Sequence, residues 1–179
     1  MVEELEFSVM EELKSLPEIL QPDERSKFFS NNSLSSRHSA ISSIKLSSSV
    51  PEDIRSQFNV ALMLSVYAWL YYPFHQVSEL KAFSTLEMAL RWKLPNNKGG
   101  LKKLLSLAID TGLIVDKGFS HICTSGDSLN EYSTKLPDII SDLRNDLAHG
   151  SSTLHPQSLF TLRNCSEIIN QLFICEEPV

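Results

Sequence analysis

The sequence predicts an all-α fold: an up-and-down helical bundle of four to five main helices, preceded by an N-terminal helical arm. Three observations support this prediction. Apolar residues recur every three to four positions after residue 50, as they do on one face of an α-helix. No stretch sustains the strict alternation that is typical of a half-buried strand. Prolines and glycines separate the apolar runs by short connections, which favours antiparallel neighbours.

The first main helix is predicted to begin near Pro51. A proline in the first turn, followed by Glu52 and Asp53, suits the unpaired N–H groups and the dipole of a helix start. The helix should continue to about Tyr72, because Pro73 would end or kink it.

Four more helices are predicted after it. The second stops at Pro95, and the third, which follows the turn NNKGG, can be capped by Gly112. Residues 113–134 are less regular and could include a short extended pair. The apolar stripes of the second to fifth helices are Val77, Leu80, Phe83, Leu86 and Leu90; Leu101, Leu104, Leu105 and Ala108; Leu136, Ile139, Ile140, Leu143 and Leu147; and Leu159, Leu162, Cys165, Ile169, Leu172 and Phe173.

Two regions divide the chain. Residues 50–179 are predicted to form the bundle domain, and residues 1–49 an acidic helical arm with a serine-rich linker. Residues 2–16 have the spacing of a short amphipathic helix, and residues 22–30 could add another turn or two. Half of residues 30–49 are serine, with little to bury, which is typical of a linker or an extended loop.

The formal net charge of -6 disfavours a generally basic, coat-like nucleic-acid binder, because the phosphate backbone rewards clustered lysine and arginine. It leaves open a compact site that acts on RNA, since only the local potential must be favourable. Residues 1–24 contain eight acidic residues and one basic residue, whereas residues 81–117 contain seven basic and three acidic ones. The acidic arm could shield a basic surface of its own or of a neighbouring copy, but a solvated helix face is the simpler interpretation.

The cysteines and histidines suggest neither disulfides nor metal binding. Three cysteines without a CxxC pair, in a chain without a signal peptide, indicate free thiols in the cytoplasm. His38, His75 and His121 stand alone, so no metal and no other cofactor is predicted. Residues 58–74 are apolar but short for a membrane span, and a buried helix is the better interpretation.

The sequence RNDLAH, residues 144–149, is the main candidate for a functional site, at the end of the fourth predicted helix. On an ideal helix of about 100° per residue, Arg144 lies beside the apolar stripe, and Asn145 and His149 lie on the polar side. Arg144 and His149 are then about 140° apart, too far to meet at one substrate atom without help. The reach of arginine, unwinding at Gly150, or a second copy across a two-fold axis could bring them together.

These residue types suit the cleavage of RNA. A histidine can take the proton of the 2′-hydroxyl, or give one to the leaving 5′-oxygen, near neutral pH. An arginine can bind two phosphate oxygens where charge develops, and Asn145 could orient the substrate or the imidazole. The alternative is an exposed polar turn capped by Gly150, because an arginine and a histidine at this spacing often occur by chance.

The stretch resembles the motif of the HEPN superfamily, in which four to six residues separate an arginine from a histidine and a polar residue commonly follows the arginine. Here the spacing is the shortest, and Asn145 stands in the polar position. The motif closes the penultimate predicted helix, and STLEMALRWKL, residues 84–94, is similar to the second-helix pattern of such domains. The resemblance covers about residues 51–175 and leaves the N-terminal arm unexplained.

The resemblance implies a metal-independent endoribonuclease that works as a homodimer with the motif at the dimer cleft, in toxin–antitoxin or anti-phage systems. By position, Arg144 and His149 would be catalytic and Asn145 and Asp146 supporting, and an antitoxin or another defence protein could be a partner. In the branch paired with a nucleotidyltransferase antitoxin, a tyrosine two residues after the histidine is modified, whereas this chain has Ser151 there. Other HEPN domains are non-catalytic modules that bind RNA or proteins, which is the second hypothesis.

Four more basic residues are candidates for binding RNA phosphate: Arg91, Lys98, Lys102 and Lys103. Arg91 is four residues after Glu87, and one of the two could face the cleft and position Arg144 or RNA. An ordinary surface ion pair is the simpler interpretation. The lysines flank a helix start, where phosphate could bind, but a solvated helix start is the alternative.

Overall fold

A computed structural model describes residues 11–29, 33–95, 98–122, 130–151 and 158–174. Within these ranges the secondary structure is entirely helical, which confirms the predicted all-α class. The α-helices are α1 (Glu24–Phe29), α2 (Leu34–Ser42), α3 (Glu52–Tyr67), α4 (Phe74–Lys93), α5 (Leu101–Asp110), α6 (Leu136–Ala148) and α7 (Leu159–Leu172), with 3₁₀ turns at Asp116–Gly118 and Ser133–Lys135.

Helix α4 is the centre of the bundle, because it packs against α3, α5, α6 and α7. Its inward positions follow the helical period, so that Ala82, Leu86 and Leu90 are fully buried. Phe58 of α3 and Leu104 of α5 pack into the same core. Burying a leucine or phenylalanine side chain contributes about 1.5–3 kcal/mol to the stability of the fold relative to leaving it in water.

The side-chain contacts of α4 fix the directions of its neighbours. Helices α3 and α6 run antiparallel to α4, and α7 runs parallel to it. These four helices therefore alternate up and down along the chain, while α5 packs against α4 and α6. The contacts are Lys81–Gln57 and Ser78–Ala61 with α3, Glu87–Arg144 and Gln76–Ser151 with α6, and Glu79–Thr161 and Trp92–Phe173 with α7.

The serine-rich segment is not the linker or extended loop that the sequence predicted, because it contains α2. Ser33 Oγ caps this helix by accepting a hydrogen bond from the backbone N–H of Ser36. Ile41 and Ile44 are 4% and 5% exposed and belong to the core of the bundle. The prediction failed because so few apolar residues among many serines give no clear helical period.

Helix α3 ends at Tyr67 rather than at Tyr72, because the N-terminal arm binds the backbone beyond it. The N–H of Asp23 donates to the carbonyl of Trp69 at 2.9 Å, and Asp23 Oδ2 accepts from the N–H of Tyr72 at 2.9 Å. These bonds satisfy backbone groups that a longer helix would have paired. The arm is thereby attached to the turn between α3 and α4.

Three other predictions for irregular regions have different outcomes. The helix predicted over residues 2–16 is absent from residues 11–16, and residues 2–10 lie outside the described residues. Helix α1 agrees with the turn or two expected over residues 22–30. The described part of residues 113–134 forms 3₁₀ turns instead of an extended pair. Among the described helices, none combines the length and the apolar character that a membrane span requires.

Candidate active site

The RNDLAH motif occupies the exposed C-terminal end of α6. Arg144, Asn145 and Asp146 belong to the helix, and His149 is its C-cap. The Arg144 side chain is 41% exposed, and Asn145, Asp146 and His149 are exposed. Ile140 of α6 is buried in the core; on this amphipathic helix Arg144 lies at the edge of the apolar stripe, and Asn145 and His149 lie on the solvent side.

Helix α6 ends in a Schellman motif built around Gly150. The φ of Gly150, +83°, lies in the left-handed region that favours glycine. The N–H of Gly150 donates to the carbonyl of Leu147 at 3.3 Å, and the N–H of Ser151 donates to the carbonyl of Asp146 at 3.0 Å. These two bonds satisfy carbonyls that the end of a helix leaves unpaired.

The break at Gly150 comes after His149 and does not turn its imidazole. His149 has φ -89° and ψ 4°, close to helical values, and its N–H donates to the carbonyl of Asn145 at 2.9 Å. The separation of about 140° expected for an ideal helix therefore remains between Arg144 and His149. Within the described part of the chain, no hydrogen bond joins these two side chains. Unwinding at Gly150 therefore does not bring Arg144 and His149 together. The reach of the arginine and a second copy of the chain remain as the two other ways.

Arg144 is directed toward α4 by Glu87. Its Nη2 lies 3.8 Å from Glu87 Oε2, and its Nη1 donates to Asn145 Oδ1 at 3.2 Å. Glu87 Oε1 also accepts from Arg91 Nη2 at 2.6 Å and from Arg91 Nε at 3.2 Å. The Glu87 carboxylate thus contacts two arginines, which supports the alternative in which Glu87 positions Arg144. Arg91 is the one predicted phosphate-binding residue that these contacts bring beside the motif.

The predicted lysines lie at the other end of α6. Lys102 Nζ forms an ion pair with Asp138 Oδ1, in the first turn of that helix, which raises the pKa of Lys102. Lys98 and Lys103 are exposed beside the start of α5. A helix of this length spans about 20 Å, so the lysines and His149 are not brought into one site within a single chain.

An acidic stripe follows the exposed side of α6 up to the motif. Asp138, Asp142 and Asp146 recur every four residues and are all exposed, and only Asp138 has an ion pair within the described part of the chain. The two aspartates next to Arg144 lower the local potential for a phosphate group. The stripe lies on the polar side of α6, the side of His149, so its carboxylates oppose an anion there as well.

A buried polar network at the start of α4 was not foreseen from the sequence, where His75 stood alone. His75 is 1% exposed; its Nδ1 lies 2.8 Å from Ser158 Oγ and its Nε2 lies 3.0 Å from Arg37 Nη1. Ser158 Oγ lies 2.8 Å from Ser65 Oγ. Burial and the positive charge of Arg37 lower the pKa of His75 to about 3, so the imidazole is neutral. The sequence carried no signal for this network, because its members come from four separate segments.

No metal site is evident in the described residues, since no three His, Cys, Asp or Glu side chains approach closely enough to hold an ion. The chemistry available at the motif is proton transfer by the exposed imidazole and binding of an anion by the guanidinium. Comparison with known proteins adds no assignment: no model of a protein family, no curated protein and no solved structure matches the chain.

Proposed function

We propose that the chain is a HEPN-type endoribonuclease that cleaves RNA without a metal ion, at an Arg144–His149 site completed by a second copy. The observation that carries this proposal is the position of the motif. Both side chains are accessible to solvent on a helix that stays regular through His149, on sides about 140° apart. A two-fold axis beside α6 would set the Arg144 of one copy opposite the His149 of the other, across one cleft.

In this mechanism His149 and Arg144 have separate roles. Neutral His149 takes the proton of the 2′-hydroxyl, and the resulting oxygen attacks the adjacent phosphorus. The bond to the 5′-oxygen breaks, and the leaving oxygen takes a proton from the imidazolium or from water, which gives a 2′,3′-cyclic phosphate and a 5′-hydroxyl. Arg144 binds the non-bridging oxygens as charge builds on them. Asn145 holds the guanidinium through the 3.2 Å hydrogen bond to Arg144 Nη1.

The proposed setting is a cytoplasmic toxin–antitoxin or anti-phage system. An exposed ribonuclease site on a small chain needs a partner that covers it when cleavage is not wanted, and an antitoxin or another defence protein would have this role. Ser151 stands where one branch of the superfamily has a modified tyrosine. Control of RNA cleavage by this chain would then depend on a partner that binds the site, rather than on modification of residue 151.

A second candidate function is a non-catalytic module that binds a partner protein or RNA through the same end of α6. The observation that favours it is the negative charge around the motif. Glu87 contacts both Arg144 and Arg91, and Asp142 and Asp146 are exposed nearby. Each carboxylate weakens the attraction of the arginines for phosphate. A basic protein surface would suit this charge better than RNA does.

Incubation of purified protein with total RNA in the presence of a chelator tests the proposal. The wild type should cleave, and Arg144→Ala and His149→Ala should each lower the rate by about a hundredfold or more, because each removes a group used in the transition state. Arg163→Ala and His38→Ala are matched controls, since both change exposed residues that lie outside α6, in α7 and α2, and should keep the wild-type rate.

Three outcomes separate the hypotheses. Chelator-resistant cleavage that both motif variants lose, and both control variants keep, supports the nuclease. Equal background cleavage in all five proteins contradicts it. RNA that binds without being cleaved, with binding weakened in Arg144→Ala, favours the non-catalytic module.

A further inference from the structure

Two adjacent residues of α4 hold the chain on both sides of the connection between α6 and α7. Gln76 Nε2 donates to the carbonyl oxygen of Ser151 at 3.0 Å. His75 Nδ1 lies 2.8 Å from the hydroxyl of Ser158, the residue before α7. Ser151 and Ser158 flank residues 152–157, so the first turn of α4 fixes both the start and the end of the segment that follows the motif.

The direction of the hydrogen bonds around His75 follows from Arg37. A guanidinium can only donate, so His75 Nε2 accepts from Arg37 Nη1, and the proton of the neutral ring is on Nδ1. His75 Nδ1 then donates to Ser158 Oγ, which in turn donates to Ser65 Oγ. The Ser158 N–H also lies 3.3 Å from Nδ1, but we assign the shorter contact because the charged donor on Nε2 determines the tautomer.

The three residues at the centre of this network are closed to solvent. His75, Ser65 and Ser158 are 1%, 1% and 0% exposed, so water cannot replace a lost partner. Arg37 comes from α2, in the serine-rich segment, and its Nη1 also donates to the carbonyl of Ser65 at 3.4 Å. Helices α2, α3 and α4 thus converge on Ser158 and hold it in place.

Helix α4 contacts the end of α6 and the residues just after it at two separated points. The contact between Glu87 and Arg144 and the bond from Gln76 to Ser151 are eleven residues apart along α4, about 16 Å at 1.5 Å per residue. Two contacts along one helix oppose sliding and rotation of the end of α6 against α4. His149 lies between them in sequence, so the direction of its side chain depends on both.

We propose that His75 and Gln76 are positioning residues that hold His149 in the direction needed for catalysis; this inference rests on the proposed ribonuclease function. Neither side chain has to touch RNA. Their effect is on the geometry of His149, and a displacement of about 1 Å in a catalytic group can lower a rate about a hundredfold. Loss of either anchor should therefore lower kcat and leave KM nearly unchanged, because binding by Arg144 does not depend on them.

Gln76→Ala is the first test. It should lower kcat for cleavage of a defined RNA about tenfold at constant KM. It should also speed amide hydrogen exchange at Ser151, because a residue that is held less firmly opens the bond from its N–H to the Asp146 carbonyl more often. The matched control is Gln57→Ala, at the groove between α3 and α4, where the Gln57 side chain contacts Lys81. That variant should change neither kcat nor the exchange at Ser151.

A pair of substitutions at His75 separates positioning from stability. Asn places an amide N–H near the position of Nδ1 and can still donate to Ser158. Gln places an amide oxygen near the position of Nε2, so it can accept from Arg37 but no longer donates to Ser158. Both substitutions break one bond of the same network and should destabilise the fold to a similar extent. We expect His75→Asn to keep kcat within about twofold of the wild type, and His75→Gln to lower kcat about tenfold, as Gln76→Ala does.

The outcomes distinguish this inference from the function on which it rests. If the wild type shows no chelator-resistant cleavage, the proposed function fails. If the wild type cleaves, and Gln76→Ala or His75→Gln keeps the full kcat, the positioning role alone is wrong. It is equally wrong if the kcat values of His75→Asn and His75→Gln fall together in proportion to lost stability.

Discussion

Glu87 and Arg144 form an ion pair between α4 and α6, with Glu87 Oε2 3.8 Å from Arg144 Nη2. The Glu87 side chain is 19% exposed and the Arg144 side chain 41%, so solvent screens the pair and its contribution to stability is small. Under the proposed function, this ion pair would affect the binding of RNA. Glu87 occupies one side of the guanidinium to which a phosphate would bind, and the same carboxylate accepts hydrogen bonds from Arg91.

Glu87→Gln should strengthen RNA binding. The amide oxygen can still accept from Arg91, but the negative charge that opposes phosphate is removed. We expect the Kd for a non-cleavable RNA to fall about threefold at low salt, and the gain to shrink at higher salt as screening increases. Fluorescence anisotropy with a 2′-deoxy-substituted RNA at two salt concentrations measures both effects.

Glu131→Gln is the control for net charge, because Glu131 is exposed and belongs to neither α4 nor α6. It should leave the Kd within experimental error of the wild type. Equal strengthening by both substitutions would show that overall charge, and not the contact with Arg144, determines binding.

Gly150→Ala should strain the end of the motif helix. Gly150 has φ +83°, and a Cβ there would meet no atom within 4 Å, so the cost is in the backbone alone. Gly112 at the end of α5 has φ +74° and the same open surroundings. Both substitutions to alanine should lower the free energy of unfolding by about 1 kcal/mol, which urea denaturation can measure.

Only the substitution at Gly150 should also lower RNA cleavage, because it disturbs the bonds at Leu147 and Asp146 that close the motif helix. Gly112→Ala is therefore the control of matched stability. A third variant, Gly100→Ala, changes a glycine with φ -74°, which alanine adopts without strain. Because Gly100 is the N-cap of α5, where alanine is less favourable than glycine, the two effects oppose each other and stability should change little. Equal cleavage by Gly150→Ala and Gly112→Ala would contradict a role for this helix end.

The helical bundle could be predicted from the sequence because its signals are local. The apolar period places the main helices, and Gly112 and Gly150 mark helix ends where a left-handed φ is needed. Tyr67 was missed as the end of α3, because the groups that replace the helical bonds come from Asp23, far away in the sequence. Periodicity carries no information about such distant partners.

The candidate site was only partly predictable, for the same reason. The motif itself gave Arg144 and His149 and their divergence on the helix. The i, i+4 pair of Glu87 and Arg91 also offered the alternative that Glu87 positions Arg144, which the contact between Glu87 and Arg144 supports. The structure adds that His75 and Gln76 hold the chain beyond His149. The contacts of His75 and Gln76 join residues that are distant in sequence, and no short spacing rule identifies them.

His75 should make the stability of the protein depend on pH. Burial, with the charge of Arg37, lowers its pKa to about 3 in the folded state, with Asp23 opposing the shift, whereas the unfolded chain has a pKa of about 6.5. Between these values the unfolded chain binds more protons, so stability falls as the pH decreases below about 6.5, by at most about 1.4 kcal/mol per pH unit. Urea unfolding at pH 7 and pH 5 measures the difference.

His75→Asn removes the titrating group and should reduce this difference between pH 7 and pH 5. The carboxylates of Asp23 and Asp116 have lowered pKa values and contribute in the same direction, but only at more acidic pH. A variant with the same pH dependence as the wild type over this range would show that His75 is not the source.

Mixing two inactive variants tests whether a second copy completes the site. If each site takes Arg144 from one chain and His149 from the other, a heterodimer of Arg144→Ala and His149→Ala contains one intact site. Random exchange makes half of the dimers heterodimers, each with one of its two sites intact, so the mixture should recover about a quarter of the wild-type rate. If instead each chain supplies both groups of its own site, every site lacks one group and the mixture stays inactive. Because α6 keeps Arg144 and His149 on diverging sides through its last turn, we expect recovery, and an inactive mixture of chains shown to exchange would contradict the shared cleft.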